Sequence, residues 1–273
     1  MRMYTIKRTS VGVTASVLLT FLITLFASQL QSQTAPSKDS AAFLKQATVS
    51  ESDGAVHIES RSPRPLLQIL DALRNKYGWV VSYEDPQYTA AADLSEPPPA
   101  AATGQMPTPQ LPKGGSFTVQ FSAKAPDEEK TLRAIVDSYN QSKLSGHFEL
   151  RKGTTGNLYV VGTGAHDDKG GVANQSPVLD VAVTVAAEDR TYTDTISMIC
   201  QQTATQSHAD ITLGIYPRNV FDYTNVKLGG NKIQAREMLL QTLQASKKNL
   251  FWELLYDPNS KGYYLNLHST GAK

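Results

Sequence analysis

Cysteine is almost absent: Cys200 stands alone among 273 residues. No intramolecular disulfide can form, so stability has to come from packed apolar cores even in an oxidising compartment. Cys200 falls on the apolar stripe of a predicted helix and reads as a small buried hydrophobe. Excess charge is missing as well, because 26 Lys and Arg against 25 Asp and Glu leave a formal net charge of +1. That balance supplies no field to gather nucleic acid or hold the chain on an anionic membrane surface. Catalytic signatures are also missing. The chain has no G-x-S-x-G, no S-x-x-K and neither phosphate-cradling glycine motif. Its five histidines (His57, His147, His166, His208, His268) are scattered without metal-ligand spacing. The expectation is a protein with no catalytic residue, no metal and no cofactor.

Long apolar runs are confined to one place. Val11 to Ala27 carries no charge and follows Arg2, Lys7 and Arg8, the layout of an export signal over residues 1–30. Its length of about 17 residues lies between a signal-peptide core and the roughly 20 needed to span a bilayer. A cleaved signal and an N-terminal anchor at residues 11–27 both remain open. Either way the rest of the chain is expected outside the cytoplasm, periplasmic or exported.

Beyond it, residues 31–54 are small and polar and read as a tether. Val56 begins a strand, and Pro63 and Pro65 lead into a helix with Leu66, Ile69, Leu70 and Leu73 at helical spacing, closed by Gly78. WVVSY at 79–83 reads as a strand. Residues 86–115 hold seven of the fourteen prolines and few large apolar side chains, so they read as a disordered insertion. A strand at Phe117–Phe121 follows, then a helix opened by the acidic Asp127–Glu129, then a hairpin of HFELRK (147–152) and LYVV (158–161).

After a predicted linker at 165–177, in which His166, Asp167 and Asp168 read as an exposed polar loop, the order starts again. LDVAVTV (179–185) is a strand, and Thr191 with Asp194 opens a helix running to Ser207. His208 and Asp210 read as its cap. ITLGIY (211–216) and YTNVKL (223–228) are expected to pair with each other. A second helix carries Met238, Leu239 and Leu243, and FWELLY (251–256) with YYLNL (263–267) closes the chain as a hairpin. The expected fold is α+β: two tandem β-α-β-β-α-β-β modules at 55–164 and 178–268, each with helices packed on a small mixed sheet. The matches Phe148-Glu149-Leu150 with Trp252-Glu253-Leu254, and Phe117-Thr118 with Tyr223-Thr224, support an internal duplication.

Residues 223–267 (YTNVKLGGNKIQAREMLLQTLQASKKNLFWELLYDPNSKGYYLNL), the parallel stretch 117–161 and the opening PLLQILDALRNKYGWVVSYEDP at 65–86 resemble the secretin/TonB short N-terminal domain. That resemblance implies a periplasmic module that docks partner proteins or builds assemblies. The aromatics of the last hairpin, Phe251, Trp252, Tyr256, Tyr263 and Tyr264, are the expected contact surface. An unpaired edge strand offers a second route, through addition of a partner strand. The expected function is therefore a non-catalytic envelope adaptor or assembly component. Its partners would be envelope proteins, with no nucleic acid, and with membrane contact only through an uncleaved N-terminus. The alternative is a periplasmic protein binding a sugar, peptide or peptidoglycan fragment between the modules.

Overall fold

The computed structural model describes residues 46–95 and 110–270; the export segment, most of the tether and Pro97–Pro99 lie outside the described residues. Everything described belongs to one contact unit, 42–273. Its elements run β1 (Thr48–Ser52), β2 (Ala55–Ser62), α1 (Pro65–Tyr77), β3 (Val81–Glu84), β4 (Gly115–Ser122), α2 (Glu128–Gln141), β5 (His147–Lys152), β6 (Leu158–His166) and β7 (Val172–Asn174). They continue with β8 (Ala182–Thr191), α3 (Tyr192–Ser207), β9 (Asp210–Leu213), the short α4 (Arg218–Phe221), β10 (Asn225–Gln234), α5 (Ala235–Ala245), β11 (Leu250–Asp257) and β12 (Gly262–Ser269). The class is α+β, as the sequence predicts.

Local chemistry sets the helix ends. Pro65 occupies the first turn of α1, and Gly78 stops it at φ 74°, its N–H donating to Arg74 O over 2.8 Å. A left-handed residue there costs glycine nothing. The Asp127 carboxylate accepts from Lys130 N at 2.7 Å to start α2. The Thr191 hydroxyl accepts from Asp194 N at 3.0 Å to start α3.

Three sheets form. β1, β2 and β4 make one, β8 and β10 make a two-stranded ribbon, and the third runs β5-β6-β3-β11-β12-β9 with β7 attached to β6. In this third sheet β3 lies parallel to β6 and to β11, while β5 and β12 are antiparallel to their hairpin partners and β9 is parallel to β12. The strands β11-β12-β9 thus follow the lateral order of β5-β6-β3 with their directions reversed. The helices are reversed too. Val81, Tyr83, Leu150 and Val160 share a core with Leu70 and Leu132 from α1 and α2. Tyr159, Val161, Trp252, Leu254 and Leu265 share another with Ile196, Ile199 and Leu239 from α3 and α5. Since successive residues of a strand face opposite ways, Val160 and Val161 put the two helix pairs on opposite faces of one sheet.

Four expectations are corrected. The tether ends before Thr48: Asp53 (φ 51°) and Gly54 (φ 73°) form a two-residue turn joining β1 to β2, the Asp-Gly hairpin that suits two positive φ values. The linker at 165–177 is a hairpin, with β6 continuing to His166 and pairing with β7. The insertion is ordered at both ends. Tyr88, Ala90 and Asp93 are buried, and Ser95 N donates to Leu111 O at 2.9 Å. Finally, β9 and β10 do not pair with each other. β9 joins β12 and β10 joins β8, the scheme that β3 with β6 and β2 with β4 follow earlier in the chain.

Candidate functional site

The two sets of elements meet where β3 lies against β11, with Tyr83 opposite Glu253 and Glu84 opposite Leu254. Asp85 N donates to Leu254 O at 2.8 Å, and Trp252 N donates to the Ser82 hydroxyl at 3.2 Å. Three arginines cross this seam. Arg64 donates to Asp85 at 2.6 Å and to Tyr256 O at 2.5 Å, while Tyr256 N donates to Asp85 at 3.0 Å. Arg74 bonds Val81 O and, at 2.7 Å, Glu253, with its guanidinium 4.1 Å from the centre of the Phe251 ring. Arg236, from α5, reaches Glu84 and Asp180.

Electrostatics at the seam follow from burial. The phenols of Tyr83 and Tyr88 are held protonated far above their usual range, chiefly by burial, and Tyr83 donates to Asp85 at 2.8 Å. Burial opposes ionisation of Glu253, but His268 and Arg74 outweigh it and hold that carboxyl below the usual range. Every charged group named here has an opposite charge beside it. The cluster works as a clamp, since a buried charge is tolerable only when paired.

Of the five aromatics expected to form a contact surface, four are core. Phe251, Trp252, Tyr256 and Tyr263 are buried, and Tyr264 alone is exposed, at 40 %. The reason is that β11 is an inner strand covered on both faces. Trp252 and Tyr256 pack under α3 and α5, and Phe251 lies under Arg74 of α1. The reading of 166–168 as an exposed polar loop is corrected at His166, while Asp167 and Asp168 lie in the turn after β6 and Asp168 is exposed. His166 Nδ1 lies 2.6 Å from Asp93, which is fully buried, and its backbone N donates to the same carboxylate at 2.6 Å. Cys200 is buried, and burial pushes its thiol up to about 12, so it carries no nucleophilic thiolate near neutral pH.

What lies open is at the ends of the sheet. β9 has no strand on its outer side among the described residues, and neither has β5. Gly214 N donates to Leu265 O, which turns Thr212 and Gly214 toward β12 and leaves the N–H and C=O of Ile211 and Leu213 directed outward. Over β9 and the start of β12 lies a groove of about 550 Å³ under α3, lined by Ser197, Cys200, Gln201 and Ala204, by residues 210–213 of β9 and by Gly262, Tyr263 and Tyr264 of β12. Ile215, two residues past β9, is 69 % exposed, and Tyr264, paired with Thr212 of β9, is 40 % exposed. A second groove of about 330 Å³, bounded by Val80, Ser82, Lys247, Lys248 and Trp252, lies at one end of the seam. Among the described residues no group of three or more His, Cys, Asp or Glu could hold a metal ion.

No advance signal of the β9 edge stands in the sequence, which pairs residues 211–216 with 223–228 where the structure pairs β9 with β12. The clamp had none either, because Arg64 and Tyr256, or Glu84 and Arg236, lie more than 150 residues apart. Compared with known proteins, the chain matches no family model, no curated protein and no solved structure.

Proposed function

We propose that this chain is a non-catalytic interaction module of the cell envelope, exported by its N-terminal segment, which binds its partner by taking an extended strand onto the edge of β9. The observation that carries this reading is the seam. There β3, the counterpart of β9 in the first set of elements, has taken β11 alongside in the same parallel sense. The matching element order and the shared pairing scheme support two copies of one unit. In the second copy the corresponding edge is left open, with a groove over it and exposed apolar groups beside it. The likeness of residues 65–86, 117–161 and 223–267 to secretin/TonB short N-terminal domains supports a docking role in the envelope.

A proline at 213 tests the reading. Its missing N–H points away from β12, so Leu213→Pro removes no ladder bond; losing the half-buried leucine that packs on the core is expected to cost about 1–2 kcal/mol, with the fold retained by far-UV circular dichroism. In pull-downs from envelope extracts of the producing cell, a partner retained by the native chain is expected to fall at least tenfold with the variant. Equal retention by both, or no partner above background, contradicts the proposal. So does stabilisation of both chains alike by cell-wall fragments in a thermal-shift assay, which favours a small ligand in the groove beside Trp252.

A further inference from the structure

The seam is a template for what fits the open edge, and the strand that corresponds to β11 elsewhere in the chain is β5. This step rests on reading β9 as a docking edge. Matching the two hairpins places Leu150 with Leu254, and matching β3 to β9 through their parallel neighbours β6 and β12 places Tyr83 with Leu213. The helices keep the same offset, since Gly78 and His208, the left-handed residues that close α1 and α3, match as well. Arg74, which fills the space over Phe251 at the seam, then corresponds to Ala204, whose small side chain lines the 550 Å³ groove over β9. What the seam fills with an arginine from the helix is empty at the edge.

At both outer edges an asparagine satisfies backbone that the seam satisfies with a neighbouring strand: Asn140 of α2 at β5, and Asn266 of β12, reaching over from the inner side, just past β9. At β5, Asn140 of α2 accepts from Phe148 N at 2.9 Å and donates to Phe148 O at 2.7 Å. At the matching residue of β11, Trp252 N is bonded by Ser82 of β3. Past β9, Asn266 accepts from Ile215 N at 2.9 Å, whereas at the seam the matching Asp85 N reaches Leu254 O of β11. A side-chain amide carries the same donor and acceptor as a peptide group, so each asparagine stands in for backbone that is not there. The alternation that puts Phe148 outward also leaves the N–H and C=O of Leu150 outward, without any such substitute.

We propose that the partner strand of β9 is β5 of a second copy of this chain, joined head to tail and parallel with Glu149 opposite Leu213, and that Asn140 and Asn266 are gates which the incoming copy displaces. The contact is heterologous, because one end of the molecule meets the other end of the next, so it extends the sheet and does not close it at two copies.

The test mixes full chains carrying Glu149→Cys with full chains carrying Leu213→Cys under mild oxidation. It is run in the native background and with both gates opened by Asn140→Ala and Asn266→Ala. Cys200, buried and with its thiol pushed up to about 12, stays out of the reaction. The expected result is a disulfide-linked dimer of unlike chains, at least tenfold more abundant with the gates open than in the native background, and left intact by Leu213→Pro on the chain carrying Glu149→Cys, whose β9 takes no part in the trapped contact; unlike dimers unaffected by opening the gates contradict the gate assignment. No unlike dimer in either background, or like dimers as abundant as unlike ones, overturns the proposal. If that happens while the native chain still retains an envelope partner that Leu213→Pro loses, the docking edge stands and only its self-partner falls.

Discussion

Replacing Arg236 by alanine is expected to destabilise the fold by about 3–5 kcal/mol, the usual loss when one partner of a buried ion pair is removed. Arg236 is 2 % exposed and Glu84 fully buried, and the pair joins α5 to β3 across the seam. Without the guanidinium, Glu84 keeps only its bond from Leu179 N at 3.2 Å and must either stay charged without a counter-ion or take up a proton. The double change Glu84→Gln with Arg236→Met is expected to recover at least half of the loss, because a neutral amide still accepts from Leu179 N and Met refills the space. Chemical denaturation followed by far-UV circular dichroism checks both. A loss below about 1 kcal/mol for Arg236→Ala would mean that the clamp is not closed in solution.

The second large effect is at Trp252. Truncation to alanine is expected to cost about 3–5 kcal/mol, since it empties a site in the core between β11 and the helices α3 and α5. Among the described residues its indole N–H has no hydrogen-bond partner, so Trp252→Phe gives up volume and one unsatisfied donor together. More than half of the stability should return with Phe. Were Trp252 a surface anchor, as the hairpin's aromatic content suggests from sequence, alanine would leave stability within about 0.5 kcal/mol and act on binding alone.

That misreading shows where the sequence stops being informative. Element order is legible because caps and apolar spacing are local: Gly78, Asp127 and the Thr191–Asp194 pair act within four residues of themselves. The hairpin at Asp53-Gly54 is missed, because the polar TVSES ahead of it reads as tether even though Asp-Gly is a turn signal. Which face of a strand is covered depends on a partner far away in the chain. Alternation correctly puts Phe251 and Glu253 opposite Trp252 and Leu254, but nothing near them announces that Arg74, about 180 residues earlier, covers that second face. The same holds for acidic residues. Glu84 and Asp85 look like the polar end of a strand, and only the arrival of Arg236 and Arg64 explains why they are buried.

Amide hydrogen exchange by NMR tests the central claim, that one sheet runs through both sets of elements and stops unfinished at each end. The account predicts that Asp85 and Leu254, paired at the seam, exchange as slowly as the core amides of β6 and β12, while the outward amides of Leu150, Ile211 and Leu213 in dilute protein exchange at least a hundredfold faster. Asp85 and Leu254 exchanging as fast as those edge residues would contradict it, because the two sets would then be separate bodies with no seam to serve as a template.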